Sequence, residues 1–225
     1  MKTSGLIISG LCKLLFGIAL VGLLLFLPAG TWQYWQAWVF IAVLFVPMLI
    51  MGVWLLINSS EELLAKRLNN KEKEATQKHV VALSGLMFVG GFVVCGLDYR
   101  WGWSDMPWWI VGMAAVLFLL GYAMYAEVMR ENAYLSRTIE VQENQKLIDT
   151  GLYGIVRHPM YTATLLMFLA IPLILGSWWG VAVFAVYPML IVKRIQNEEQ
   201  VLAAGLKGYT DYQQRVRWRL IPWVW

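Results

Sequence analysis

The sequence predicts an all-α integral membrane protein of about six transmembrane helices, the last two folded as a tight hairpin. Three observations predict it. Of the 225 residues, 60% are apolar and only 14% are charged, with a mean hydropathy of +0.59. Soluble domains run at about 45–50% apolar and about 25% charged, and a single core in so short a chain cannot hide this much apolar surface. The apolar residues fall into blocks of the length that crosses a bilayer, about 20 residues. The basic residues fall in the segments between alternate blocks.

The predicted spans are 6–27, 35–57, 80–97 and 108–129, followed by 159–175 and 179–195. The first span, Leu6 to Leu27, is too long an apolar run for a signal-peptide core, and no A-x-A site follows. The polar stretch Asn58 to Lys78 separates the second and third spans, and Asp98 to Pro107 separates the third and fourth. The long polar run Arg130 to His158 precedes the final apolar block, which Gly176-Ser177 and Gly180 interrupt. That interruption reads as a turn between two short helices. Residues 1–126 read as a transmembrane scaffold. Residues 127–225, with a tail at 196–225, hold nearly all the unusual polar groups.

Charge sets the expected orientation. With both termini in the cytosol, only Arg100 among the 18 Lys and Arg falls outside and Lys13 falls within the first span. The remainder are cytosolic, a strong positive-inside bias. Lys13 reads as a snorkelling side chain. Trp32, Trp35, Trp101, Trp103, Trp108 and Trp109 read as interfacial aromatics at span ends. Cys12 and Cys95 read as buried thiols. With only His79 and His158 and no CxxC, the chain offers no metal set. Its bases form no nucleic-acid footprint.

Three polar groups carry the chemistry: Gly151–Tyr161 (GLYGIVRHPMY), Lys193–Gln200 (KRIQNEEQ) and the tail from Gly208 (GYTDYQQRVRWRLIPWVW). Two helices of about 17 residues rise about 25 Å each, so the hairpin returns the second group to the face of the first. Arg194 and Glu198, four apart, share a helix face. Glu199 is turned about 100° away. Pro159 suits the first position of a helix, with His158 as its cap, and the amides of that helix start are candidates for holding an anion. The plain alternatives are interfacial anchoring for Arg157-His158, a solvated helical turn for Glu198-Glu199, a local Glu127–Arg130 pair, and interface aromatics for Tyr209 and Tyr212.

The run Val141-Gln142, Thr150-Gly151-x-Tyr153 and Arg157-His158-Pro159-x-Tyr161 resembles the isoprenylcysteine carboxyl methyltransferase family. So do Glu198-Glu199, Gly208-Tyr209-x-x-Tyr212 and Arg215-Val216. Phospholipid methyltransferases share a similar C-terminal half. Sterol reductases look related there too, including the ending Arg219-Leu220-Ile221-Pro222.

The resemblance implies a C-terminal S-adenosylmethionine pocket open to the cytosol, with a lipophilic substrate arriving from the bilayer. It implies cofactor contacts from Tyr153, His158, Pro159, Tyr161, Glu198, Glu199 and Tyr212. Arg157 and Glu198 are the expected catalytic residues, Arg157 either orienting a substrate carboxylate or bracing Glu198 and Glu199. The expected acceptor is a carboxylate or thiol, because no base stands ready for an amine. The N-terminal half offers no match that would name a prenylcysteine substrate. Phospholipid N-methylation and an NADPH-dependent sterol-type reduction are the alternatives within enzymes. In the reductase, Arg215, Arg217 and Arg219 would meet the 2′-phosphate. A non-catalytic scaffold or transporter is the third class, and polar groups at one mouth only argue against transport.

Overall fold

The computed structural model describes residues 3–58, 75–132, 134–135, 141–142 and 144–225. The basic segment 59–74 and Lys2, which weigh in the charge argument, lie outside the described residues. All described regular structure is helical: α1 Thr3–Ala29, α2 Trp35–Asn58, α3 Ala75–Trp101, α4 Trp108–Glu131, a 3₁₀ turn Gly151–Gly154, α5 Pro159–Ile174, α6 Trp178–Phe184, α7 Tyr187–Gly205 and α8 Tyr209–Arg215. Among the described residues five stretches are long and apolar enough to cross a membrane: Ile7–Ala29, Trp35–Asn58, Lys78–Trp101, Trp108–Glu131 and Trp178–Gly205. The sixth expected span, α5, is a shorter apolar helix of 16 residues. At 1.5 Å per residue it rises about 24 Å.

The expected hairpin forms, with two differences. Its second arm is broken at Ala185-Val186 into α6 and α7. Pro188 explains the break, because it has no N–H to offer Phe184 and its ring crowds that carbonyl. The arm also continues to Gly205 instead of stopping at Ile195. Gln, Glu, Leu and Ala in that stretch all favour the helix. Hydropathy ended the predicted span, whereas backbone propensity continues the helix.

The turn between α5 and α6 needs Gly176, whose φ is +71°. Ser177 then caps α6, its Oγ accepting from the Gly180 N–H at 2.8 Å. The same hydroxyl donates to the Asp98 carboxylate. Asp98 also accepts from the Ser104 N–H (2.8 Å) and hydroxyl (2.7 Å). Tyr34 donates to the Leu175 carbonyl at 2.6 Å. These bonds join α2, α3 and the hairpin turn at one end of the bundle. That end also carries the exposed Trp32, Trp35, Trp101, Trp103, Trp108 and Trp109.

Phe40, Phe92, Phe118 and Phe184 fill the core between the helices, with Phe88 and Phe168 packed against it. α5 lies closest to α4. Gly121 permits this, since a Cβ there would lie 2.7 Å from Met167 Cγ and 3.0 Å from the Ala163 carbonyl oxygen. Neither cysteine is in a disulfide. Cys95 is buried, but Cys12 is exposed on α1, contrary to the sequence expectation. An apolar side chain on a spanning helix is as well placed against lipid as in the core.

Candidate functional site

The polar groups of the C-terminal half meet at the end of the bundle opposite the tryptophans. The tail is stitched to the start of α5. Arg157 N–H donates to the Trp218 carbonyl (2.9 Å) and His158 N–H to that of Arg219 (3.0 Å). Thr162 Oγ1 donates to the Leu220 carbonyl at 2.8 Å. Arg157 Nη1 reaches the carbonyls of Val216 (2.8 Å) and Arg217 (3.0 Å). These backbone groups would otherwise be costly to bury.

The two adjacent glutamates have different environments. Glu199 is 6% exposed. Its Oε1 accepts from Arg157 Nε at 2.7 Å and lies 3.3 Å from His158 Nε2, while Oε2 accepts from Arg219 Nε at 2.9 Å. It does not line the cavity that Tyr161 and Tyr212 face, but a second, more open pocket with Gln196, Gln200 and Arg219. Glu198 lines the first of these. Its Oε2 accepts from the Tyr161 hydroxyl at 2.5 Å, and that hydroxyl accepts from Arg194 Nε at 2.9 Å. The different directions of Glu198 and Glu199 follow from one residue of helical rotation, about 100°.

The cavity spans about 830 Å³ of empty space, its open mouth included. α7 contributes Arg194, Glu198 and Leu202 to its wall, and the start of α5 contributes Arg157, His158 and Tyr161. α8 adds Tyr209 and Tyr212. Tyr153, from the 3₁₀ turn, is fixed by two bonds: its hydroxyl accepts from Asn132 Nδ2 at 2.8 Å and its carbonyl accepts from the Tyr212 hydroxyl at 2.7 Å. Burial raises the phenol pKa values of Tyr153, Tyr209 and Tyr212 well above the ordinary range, and the nearby Glu199 and Glu198 charges push Tyr209 further up. All three therefore stay protonated and able to donate.

Of the residues singled out in the sequence, Tyr153, Arg157, His158, Tyr161, Glu198 and Tyr212 converge on this cavity. Pro159 is the buried first residue of α5, and Glu199 lies behind the wall. At the α5 start Met160 lines the cavity, and the amides around it are largely engaged. The Arg157 and His158 amides bond the tail, Pro159 has none, and the Tyr161 and Thr162 amides turn back to the His158 carbonyl. Glu127 and Arg130 form a local pair at 2.6 Å, the plain alternative, exposed and away from the cavity.

The remaining wall, Asn132, Tyr134, Leu135 and residues 145–148, was not read from the sequence. Those residues carry no spacing signal, and the fold alone brings them to the site. Arg215 pairs with Asp149 at 2.7 Å and Arg219 with Glu199, and neither lines the cavity. Among the described residues no three His, Cys, Asp or Glu side chains converge as a metal site.

Comparison with known proteins agrees with the resemblance. Residues 109–207 match the family model for phospholipid methyltransferases. The chain is 29% identical over 119 residues to Protein-S-isoprenylcysteine O-methyltransferase B of Arabidopsis thaliana, covering 48% of this chain and 58% of that protein. It is 32% identical over 91 residues to Delta(14)-sterol reductase TM7SF2 of Mus musculus, covering 39% and 22%. It is 29% identical over 96 residues to Uncharacterized protein YpbQ of Bacillus subtilis (strain 168), covering 42% and 56%. The match spans less than two thirds of each relative. Together with the five long apolar stretches among the described residues, these findings support a multi-pass membrane methyltransferase.

Proposed function

We propose that this protein is an S-adenosylmethionine-dependent methyltransferase acting on a lipophilic acceptor, a carboxylate or a thiol. The observation that carries this reading is the Arg194–Tyr161–Glu198 cluster, which lines the cavity beside His158. The cavity's donor set suits the cofactor. Glu198 matches an ammonium group, Tyr153 and Tyr212 offer aromatic walls, and Asn132 and Gln145 offer amides. S-adenosylmethionine, when bound, supplies an electrophilic methyl carbon, and its transfer moves the C–S bonding pair onto sulfur.

The chain's part is alignment and exclusion of water. Holding two reactants in line can supply several kcal/mol of the barrier, about 7–11 in favourable cases. A carboxylate acceptor has a reference pKa near 4 and needs no base. Arg194, which lines the cavity, is the cation we assign to orient it. Arg157 serves instead as the brace of Glu199, one of the two roles its position allows. The residues lining the cavity all lie at or beyond Asn132. That supports residues 127–225 as the catalytic region and 1–126 as scaffold. We place both termini and the cavity on the cytosolic side, on the charge distribution of the sequence.

The sterol reductase relative keeps NADPH chemistry as a second reading. It is weakened by Arg215 and Arg219 being ion-paired outside the cavity, where they do not form a free 2′-phosphate site. Isothermal titration of detergent-purified protein with S-adenosylhomocysteine, and in parallel with NADPH, tests the choice. Micromolar binding of the former, weakened on the order of 10–100-fold in Glu198→Gln, is expected. Binding of NADPH alone would transfer the site to a reductase, and binding of neither would leave it a structural feature.

A further inference from the structure

Five tyrosines line the cavity, and four have partnered hydroxyls. Tyr153 accepts from Asn132, Tyr161 bonds Glu198 and Arg194, Tyr212 donates to the Tyr153 carbonyl, and Tyr134 donates to the Asn144 carbonyl. Tyr209 is the exception. It opens α8 after Gly208, is 3% exposed, and packs with Leu206 and Tyr212. Its hydroxyl is buried and has no hydrogen-bond partner among the described residues.

Buried polar groups are nearly always hydrogen-bonded, and an orphan costs the full desolvation of the group. Phenylalanine would fill the same apolar cluster without that cost. The charged neighbours of this phenol are Glu199, Glu198 and Arg157, so the orphan belongs to the polar part of the site. A protonated hydroxyl there has a hydrogen to give and nothing among the described residues to receive it.

We propose that the Tyr209 hydroxyl is a ligand-contacting group, donating a hydrogen bond to an oxygen or nitrogen acceptor of the bound methyl donor. This rests on the methyltransferase reading above and adds a contact that the RHP and EE motifs do not indicate.

Tyr209→Phe in the full chain tests it through two readouts of opposite sign. The ligand-free thermal midpoint should hold or rise, because an unsatisfied group has been removed. The affinity for S-adenosylhomocysteine should fall about three- to tenfold, the range of one lost hydrogen bond. Tyr212→Phe is the contrast, since its hydroxyl is partnered within the fold and its loss should lower the ligand-free midpoint. If Tyr209→Phe binds as tightly as wild type, this inference is overturned and the methyltransferase reading stands. A lowered ligand-free midpoint in Tyr209→Phe would show a partner inside the protein and overturn it too. Wild-type protein that does not bind S-adenosylhomocysteine overturns the methyltransferase reading, and this contact with it.

Discussion

Arg157 and Glu199 are 42 residues apart in sequence and joined in a buried ion pair, Arg157 Nε and Nη2 each lying 2.7 Å from the same carboxylate oxygen. Arg219 takes the other oxygen at 2.9 Å. The carboxylate therefore holds together the start of α5, the middle of α7 and the tail. Removing one partner of such a pair strands the other charge, typically at about 3–5 kcal/mol. Glu199→Ala should lower the thermal midpoint strongly even without ligand. A midpoint within error of wild type would refute the clamp. Arg157→Lys should also destabilise, because a lysine cannot hold the carboxylate and two carbonyls with one planar fork.

Glu198→Gln should behave in the opposite way. Glu198 lines the cavity with 22% of its side chain exposed, and it is not enclosed by arginines. The amide keeps an acceptor for the Tyr161 hydroxyl but loses the charge. The midpoint should change little, while affinity for S-adenosylhomocysteine should fall on the order of 10–100-fold, as for a charged hydrogen bond. Undiminished affinity measured by titration would remove Glu198 from the site.

At the far end of the bundle, Asp98 accepts from Ser104 and Ser177. Asp98→Ala leaves those donors unpaired, at about 1–3 kcal/mol for a buried group. A cycle combining it with Ser177→Ala should show coupling, since both changes break one network. Ligand affinity should not follow, because these residues are at the opposite end from the cavity. Additive effects in the cycle would argue against the network.

Gly121→Leu should be destabilising in proportion to the close contact of α4 and α5. Its Cβ alone would meet Met167 Cγ at 2.7 Å, and overpacking of this kind costs typically about 1–3 kcal/mol. Gly112, with nothing within 4 Å of its added Cβ, is the control, and Gly112→Leu should be tolerated. Equal effects of the two changes would remove helix packing as the cause.

The raised phenol pKa values of Tyr153, Tyr209 and Tyr212 predict alkaline lability. Unfolded tyrosine loses its proton near pH 10, whereas the folded phenols hold theirs to higher pH. Their contribution is complete below about pH 10 and is lost as pH rises from there toward the folded values. Thermal midpoints should fall above about pH 10, and the fall should be shallower in Tyr212→Phe after correction for its lower starting stability.

The parts of this protein that depend on local pattern are legible in the amino-acid order. Apolar block length set the spans, Gly176-Ser177 set the hairpin turn, and the four-residue spacing put Arg194 and Glu198 on one face with Glu199 turned from it. Each follows from helical geometry or from the need to satisfy backbone groups in lipid. What those faces meet depends on the folded chain. It gave Glu199 to Arg157 and Arg219. It brought Asn132 and Tyr134 into the cavity wall and left the Tyr209 hydroxyl without a partner among the described residues. The reason is physical: a side chain's direction is local, but whether a charge or hydroxyl finds a partner depends on residues distant in sequence, and no periodicity encodes that meeting.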